Sequence, residues 1–250
     1  MHWQRPDSLS QDPVADPGYV LRLLRHLRQT WRIWLFGLLL VGGATSIFLE
    51  LAGDVWEQER FLWDAPIMLA IHRQGAPWLD ALMIGITRIG YPGAILATAT
   101  AAAWLWWQRR PVAALSLLIS VLGAFVLNVW LKQIFGRPRP TVFPPLTAET
   151  TFSFPSGHAM NAVALYGFLT YLLWQQKQRA WATLALLFAL LIAFSRIYLG
   201  VHYPSDIVGA LSIGLVWLVI VVMGYRYYRA RYTRSAETEP EPLPAPSDLA

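Results

Sequence analysis

Three short groups of residues hold side chains that can do chemistry. They are Lys132-Gln-Ile-Phe-Gly-Arg-Pro-Arg139-Pro140, then Pro155-Ser156-Gly157-His158, then Ser195-Arg196-Ile-Tyr-Leu-Gly-Val-His202-Tyr-Pro-Ser-Asp206. Lys132, Arg139 and Arg196 supply fixed positive charge, the pattern that binds the oxygens of a phosphate group. A histidine can attack phosphorus if a partner fixes its tautomer. Asp206 follows His202 by one helical turn, so its carboxylate can accept the Nδ1 proton and leave Nε2 free. His158, in a different group, can then protonate the leaving oxygen. Spacing alone leaves both histidine roles open. Ser156 is a good helix N-cap, Gly157 lets a ligand approach the backbone, and Pro204 suits a first helical turn.

These groups need elements that bring them together, and the composition says which. Of 250 residues, 56% are hydrophobic and 14% charged, with mean hydropathy +0.40, against about a quarter charged in soluble domains. With 0 Cys, thiol chemistry and a disulfide scaffold are excluded. The net charge of +5 comes from 18 Arg and 2 Lys scattered between long apolar runs, which points to a bilayer and not to nucleic acid. Crossing the hydrocarbon takes about 20 mostly apolar residues. Six runs approach that length, at 33–52, 80–107, 112–133, 156–174, 180–199 and 205–225. Gly90, Pro92 and Gly93 predict a bend in the second. The stretch from Phe61 to Arg73 is apolar but short, and reads as interfacial.

The fold class expected is therefore all-α, an integral membrane bundle of six transmembrane helices covering 31–228. Residues 1–30 read as a cytoplasmic segment with a basic amphipathic helix, because Arg22, Arg25, Arg28 and Arg32 alternate at helical spacing with Leu21, Leu24 and Leu27. Residues 229–250, acidic and Pro-rich towards the end, read as a disordered cytoplasmic tail. No internal repeat of the kind found in two-half transporters is visible. Alternating the spans puts 13 Lys and Arg on one side and 7 on the other, so both termini are expected in the cytoplasm. All three chemical groups then lie on the outer face. There spans three and five end, where cations are favoured, and spans four and six begin, where free N–H groups attract anions.

At these residues the sequence resembles the type 2 phosphatidic acid phosphatase family, whose signature is K-x6-R-P, P-S-G-H and S-R-x5-H-x3-D. Lys132, Arg139 and Pro140, then Pro155 to His158, then Ser195, Arg196, His202 and Asp206 fill every fixed position. The resemblance implies a metal-independent lipid phosphatase without cofactor, in a bacterial cytoplasmic membrane, acting on a lipid monophosphate or diphosphate. Undecaprenyl diphosphate, phosphatidic acid, phosphatidylglycerol phosphate and diacylglycerol pyrophosphate are candidates. It implies His202 as nucleophile, Asp206 as its orienting partner and His158 as general acid. Lys132, Arg139, Arg196, the Ser156 side chain and the Gly157 backbone would hold the phosphoryl oxygens. The partners implied are lipids, with no nucleic acid and no protein partner indicated. A phosphotransferase passing phosphate from a polyprenyl diphosphate to another lipid would carry the same site. A non-catalytic binder or transporter would be expected to have lost a catalytic His or Asp, and none is lost.

Outside the motifs, expectations are plainer. Arg137 lies inside the first motif without being a fixed position, and support for the site, a headgroup contact and a catalytic part all stay open for it. Arg88, Asp80 and Thr87 read as outer-face residues without a role at a substrate entrance. His72, His26 and His2, and the acidic run Asp54, Glu57 and Glu59, read as interfacial or solvated, while Glu50 and Asn128 are candidates for interhelical hydrogen bonds. Trp104, Trp106, Trp107 and Trp174 read as an interfacial belt.

Overall fold

The structure is a computed structural model and describes residues 17–237, with side chains placed at residue 35 and residues 37–231. The described residues are all-helical, with no strand among them. Four helical stretches are long and apolar enough to cross a bilayer. They are Gly37–Trp56 within α1 (Pro17–Trp56), α5 (Pro111–Phe135), α8 (Arg179–Tyr198) and Pro204–Arg231 within α9 (Pro204–Glu237). A fifth is the bent pair α3 (Pro77–Gly90) and α4 (Pro92–Trp107), which meet at 45°. The bend sits where the sequence places it. Pro92 has no N–H to continue the helical ladder, and Tyr91 leaves helical geometry at φ −131° and ψ −68°.

The expected fourth span is helical without a gap from Gly157 to Gln175 but is built from three parts: α6 (Gly157–Ala162), a π-helical turn (Val163–Gly167) and α7 (Phe168–Gln175). Length and composition give four crossings among the described residues, or five with the bent pair, which bears out the membrane bundle without confirming the exact count of six. The π turn is what divides this segment, and a neighbour supports it. Ser120 Oγ donates to the Ala164 carbonyl at 2.8 Å, and the Ser120 carbonyl accepts from Trp217 Nε1 at 2.9 Å. Ala124, Ala159, Ala164, Ala193 and Ala210 cluster with Met160 and Ile207 where this segment meets α5, α8 and α9. Small side chains let helices approach closely, which matters in lipid because apolar burial there gives little drive to associate.

Two boundaries differ in detail. From Pro17 the backbone is helical and continues into the first span, while residues 1–16 and the side chains that would define the basic amphipathic face lie outside the described residues. Helix α9 runs to Glu237, past the expected boundary at 228, and residues 238–250 lie outside the described residues.

The link from α5 to α6 is a folded loop, and its ends explain why it reaches the site. Gly136 closes α5 in the left-handed region (φ 56°), where its N–H reaches the Lys132 carbonyl at 3.0 Å and the chain turns into Arg137–Arg139. The loop is then tied down by backbone bonds from Ser153 N to Arg137 O (2.8 Å) and Leu146 N to Leu199 O (3.0 Å). The short helix α2 (Asp64–His72) packs on α8 and α9 with Asp64 and Met68 buried.

Candidate active site

His202 sits in the turn between α8 and α9, 1% exposed, and Asp206 in the first turn of α9 is fully buried. The imidazole Nδ1 lies 3.3 Å from Asp206 Oδ2 and 3.4 Å from Ser153 Oγ, while Nε2 lies 3.3 Å from Arg139 Nη1. A guanidinium only donates, so Nε2 is the accepting nitrogen and the proton belongs on Nδ1, facing the carboxylate. Burial holds the His202 pKa down, to about 3, against the pull of Asp206, and Arg139 and Arg196 depress it further. The imidazole is therefore neutral at physiological pH with a lone pair on Nε2.

The cations converge on the same place from three elements. Arg139 is fixed by Thr151 O (2.7 Å to Nε), Val201 O (2.7 Å to Nη1) and Thr151 Oγ1 (3.2 Å to Nη2). Burial lowers its pKa, with Glu149 and Asp206 opposing. Lys132, on the last turn of α5, donates to Thr151 Oγ1 at 3.3 Å and to the Phe152 carbonyl. Arg196, on the last turn of α8, is 1% exposed and donates to Thr87 Oγ1 and to Glu149, whose other oxygen is 3.7 Å from Arg139. Its Nε, and the Ser156 hydroxyl, are buried without a hydrogen-bond partner in the protein. Leaving such groups unsatisfied costs about 1–3 kcal/mol each, so both are open donors; Arg196 lines the cavity described below, and Ser156 lies next to its lining residue Gly157 without lining it.

His158, in the first turn of α6, stacks on Tyr91 at the α3–α4 bend, with ring centroids 4.6 Å apart. His158, His202, Lys132, Arg139, Arg196 and Gly157 all line one cavity of about 480 Å³. Gly157 has a steric reason as well: a Cβ there would fall 2.8 Å from Asn128 Oδ1, and Asn128 in turn donates to the Pro155 carbonyl at 3.0 Å. Asn128 thus bonds from α5 to the strand-like entry of α6. Ser156 stands at the N-cap of α6, yet its hydroxyl makes no capping bond; the expected cap is formed by position only.

One reading changes with the structure and another narrows. Thr87 and Arg88 line the cavity, so they belong to the site after all, whereas Asp80 does not and accepts instead from the Tyr198 hydroxyl. Arg137 bonds to Asp206 Oδ1, to Ser205 Oγ (2.8 Å) and to Asp64 Oδ2 (3.0 Å), which makes it a support of the Asp206 carboxylate. Ser153, Thr151, Glu149 and Asp64 were not singled out by the sequence. Ser153 and Thr151 lie between two motifs on a loop whose only signal is its proximity to Pro155, and Asp64 meets Ser205 across 141 positions.

Residues 113–230 match the PAP2 superfamily. Phosphatidylglycerophosphatase B of Bacillus subtilis is 35% identical over 156 residues, which is 60% of this chain and 76% of that protein. The chain belongs to the PAP2 superfamily. Undecaprenyl-diphosphatase BcrC of the same organism is 30% identical over 60% of this chain and 74% of its own length. The fold agrees: the crystal structure of a transmembrane PAP2-type phosphatidylglycerolphosphate phosphatase from Bacillus subtilis superposes with TM-score 0.68 and 30% identity, covering 76% of this chain and 97% of that one. As a PAP2 protein with apolar helices long enough to span, it is an integral membrane phosphatase, a hydrolase.

Proposed function

We propose that this PAP2 phosphatase removes phosphate from a lipid monophosphate or diphosphate through a phosphohistidine on His202, without a metal ion. The observation that carries the proposal is His202, with Nδ1 at Asp206 and Nε2 at Arg139, lining one cavity together with Lys132, Arg139, Arg196 and His158. In the first step Nε2 forms a bond to phosphorus, the bond from phosphorus to the lipid oxygen breaks, and that oxygen takes a proton from His158. In the second, water gives a proton to His158 and attacks phosphorus, the P–N bond breaks, and inorganic phosphate leaves. Three side-chain cations and the open donors of Arg196 and Ser156 stabilise the charge on the transferring group. The names of the relatives favour phosphatidylglycerophosphate and undecaprenyl diphosphate as substrates. The charge asymmetry between the two sides supports cytoplasmic termini and a site on the outer face of a bacterial cytoplasmic membrane.

The test is release of phosphate by detergent-purified protein from a panel of lipid mono- and diphosphates in EDTA. Wild type is expected to release it from at least one lipid, and His202→Ala to lose that activity. Phosphate appearing on a second lipid instead of in solution would identify a transferase, and activity surviving in His202→Ala would remove the phosphohistidine.

A further inference from the structure

Behind the catalytic histidine, on the side away from the cavity, lies a second buried carboxylate. Asp64 is 3% exposed and comes from α2, an element that contains no motif. Its Oδ1 accepts from the Ser205 N–H at 2.8 Å, and its Oδ2 from Ser205 Oγ at 2.6 Å and Arg137 Nη2 at 3.0 Å. Only donors face it, which is the environment of a carboxylate and not of a carboxylic acid. Burial raises its pKa, and these same donors and the Arg137 charge oppose the rise. Arg137 turns its other end to Asp206 Oδ1, and its guanidinium is held between the Phe61 and Tyr203 rings, at 5.1 and 4.3 Å from their centroids. Asp206 Oδ2 in turn accepts from Ser153 Oγ, the Tyr203 N–H (2.9 Å) and His202.

The charges in this chain have a consequence. Arg137 paired with Asp206 alone would form a neutral couple and cancel the negative charge that a phosphorylated, positively charged imidazole needs beside it. Asp64 neutralises Arg137 from the far side, so Asp64, Arg137 and Asp206 together carry a net charge of −1. We propose that Asp64 is a positioning residue for the reaction, which acts through Arg137 to hold the Asp206 carboxylate in place while leaving its charge for His202. The proposal rests on His202 being the nucleophile.

Other charged groups surround these residues on both sides. Glu59, Arg60 and Tyr203 border the outer hollow next to Asp64 and Arg137. On the cavity side His202 faces Arg139 and Arg196, with Lys132, Glu149 and His158 in the same lining. These are unchanged in the variants below, so differences between variants report on the Asp64–Arg137–Asp206 chain.

The test is a charge-balance cycle on full-length protein in detergent, with kcat and KM measured against pH on the best lipid substrate. Asp64→Asn keeps the shape and one acceptor oxygen but leaves the chain neutral. Its kcat should fall about tenfold with KM changed less than about twofold, because the loss is confined to the charged intermediate and its transition state. Arg137→Gln leaves two unbalanced carboxylates, so protonation of His202 becomes easier and the acid limb of kcat/KM should move up by about one pH unit or more. The double variant Asp64→Asn/Arg137→Gln restores net −1, and should have a wild-type acid limb and a kcat above that of either single variant. Arg137→Lys, with the charge kept, should leave the limb in place. Losses that multiply in the double variant, a wild-type kcat for Asp64→Asn, or equal limb shifts in both singles would each overturn the proposal. Melting temperatures identify variants that have merely lost their fold, and Asp64→Asn, which is isosteric, decides the matter if Arg137→Gln does not fold. His202→Ala, run alongside, separates the two ideas: if it stays active the nucleophile is wrong, and if it is dead while the cycle is additive only the role of Asp64 is wrong.

Discussion

At the scale of single residues, the candidate site is built of buried polar groups whose states are fixed by their neighbours. His202 is the clearest instance. In the unfolded chain it takes up a proton near the ordinary value of about 6.5, while burial keeps the folded form neutral to about 3. Between those pH values the unfolded state binds more protons, so stability is lost as pH falls through that window. The melting temperature, followed by the fluorescence of the 13 Trp, should decline from about pH 6.5 downwards, and His202→Asn should decline less steeply over the same range. Equal slopes would mean that His202 does not titrate as the structure implies. The residues that carry this state differ in how visible they are in a sequence. Histidine, lysine and arginine at the ends of apolar runs stand out by type against the apolar residues around them. Ser153, Thr151 and Glu149 are ordinary loop residues. Their importance lies in bonds to Asp206, Arg139 and Arg196, which only the folded chain displays.

At the scale of elements, the positions of the motifs follow from how helices begin and end. Gly136 ends α5 and redirects the chain, Pro204 begins α9, and Gly157 begins α6 under the Asn128 side chain. Gly157→Ala would force its Cβ to 2.8 Å from Asn128 Oδ1 unless one of them moves. Overpacking of this kind costs about 1–3 kcal/mol, so the variant should melt lower and lose most of its activity. Adding Asn128→Ala should recover part of the stability, and no recovery would show that the strain lies elsewhere. Element boundaries were legible where a chemical cause marks them. The bend at Tyr91 follows from Pro92, and the ends of α5 and α8 follow from the end of their apolar runs. The π turn in Val163–Gly167 was not legible, because nothing in that apolar stretch differs from an ordinary helix. What distinguishes it is Ser120 of α5 bonding to the Ala164 carbonyl.

At the scale of the whole molecule, the same helices define both the membrane crossing and the site. The α5–α6 loop and the α8–α9 turn meet at the end of the bundle where His202 lies, and the α4–α5 and α7–α8 turns lie at the far ends of those helices. With 0 Cys in the sequence, single cysteines report sidedness directly. Thr150→Cys, in the α5–α6 loop, should react with an impermeant maleimide added outside intact spheroplasts, while Gln176→Cys, between α7 and α8, should react only after lysis. The opposite pattern would invert the proposed orientation and put the site in the cytoplasm.

The sequence by itself determined the membrane class and the motif residues. Hydrophobic run length, charge asymmetry and residue type are local properties, and water and lipid act on them regardless of what lies far along the chain. Tertiary structure alone decided how those residues are supported. Thr87 meets Arg196 across 109 positions, Ser153 meets Asp206 across 53, and Asp64 meets Ser205 across 141. A buried charge must find its partners wherever the packing of helices brings them, and no local pattern records which distant polar residue that will be.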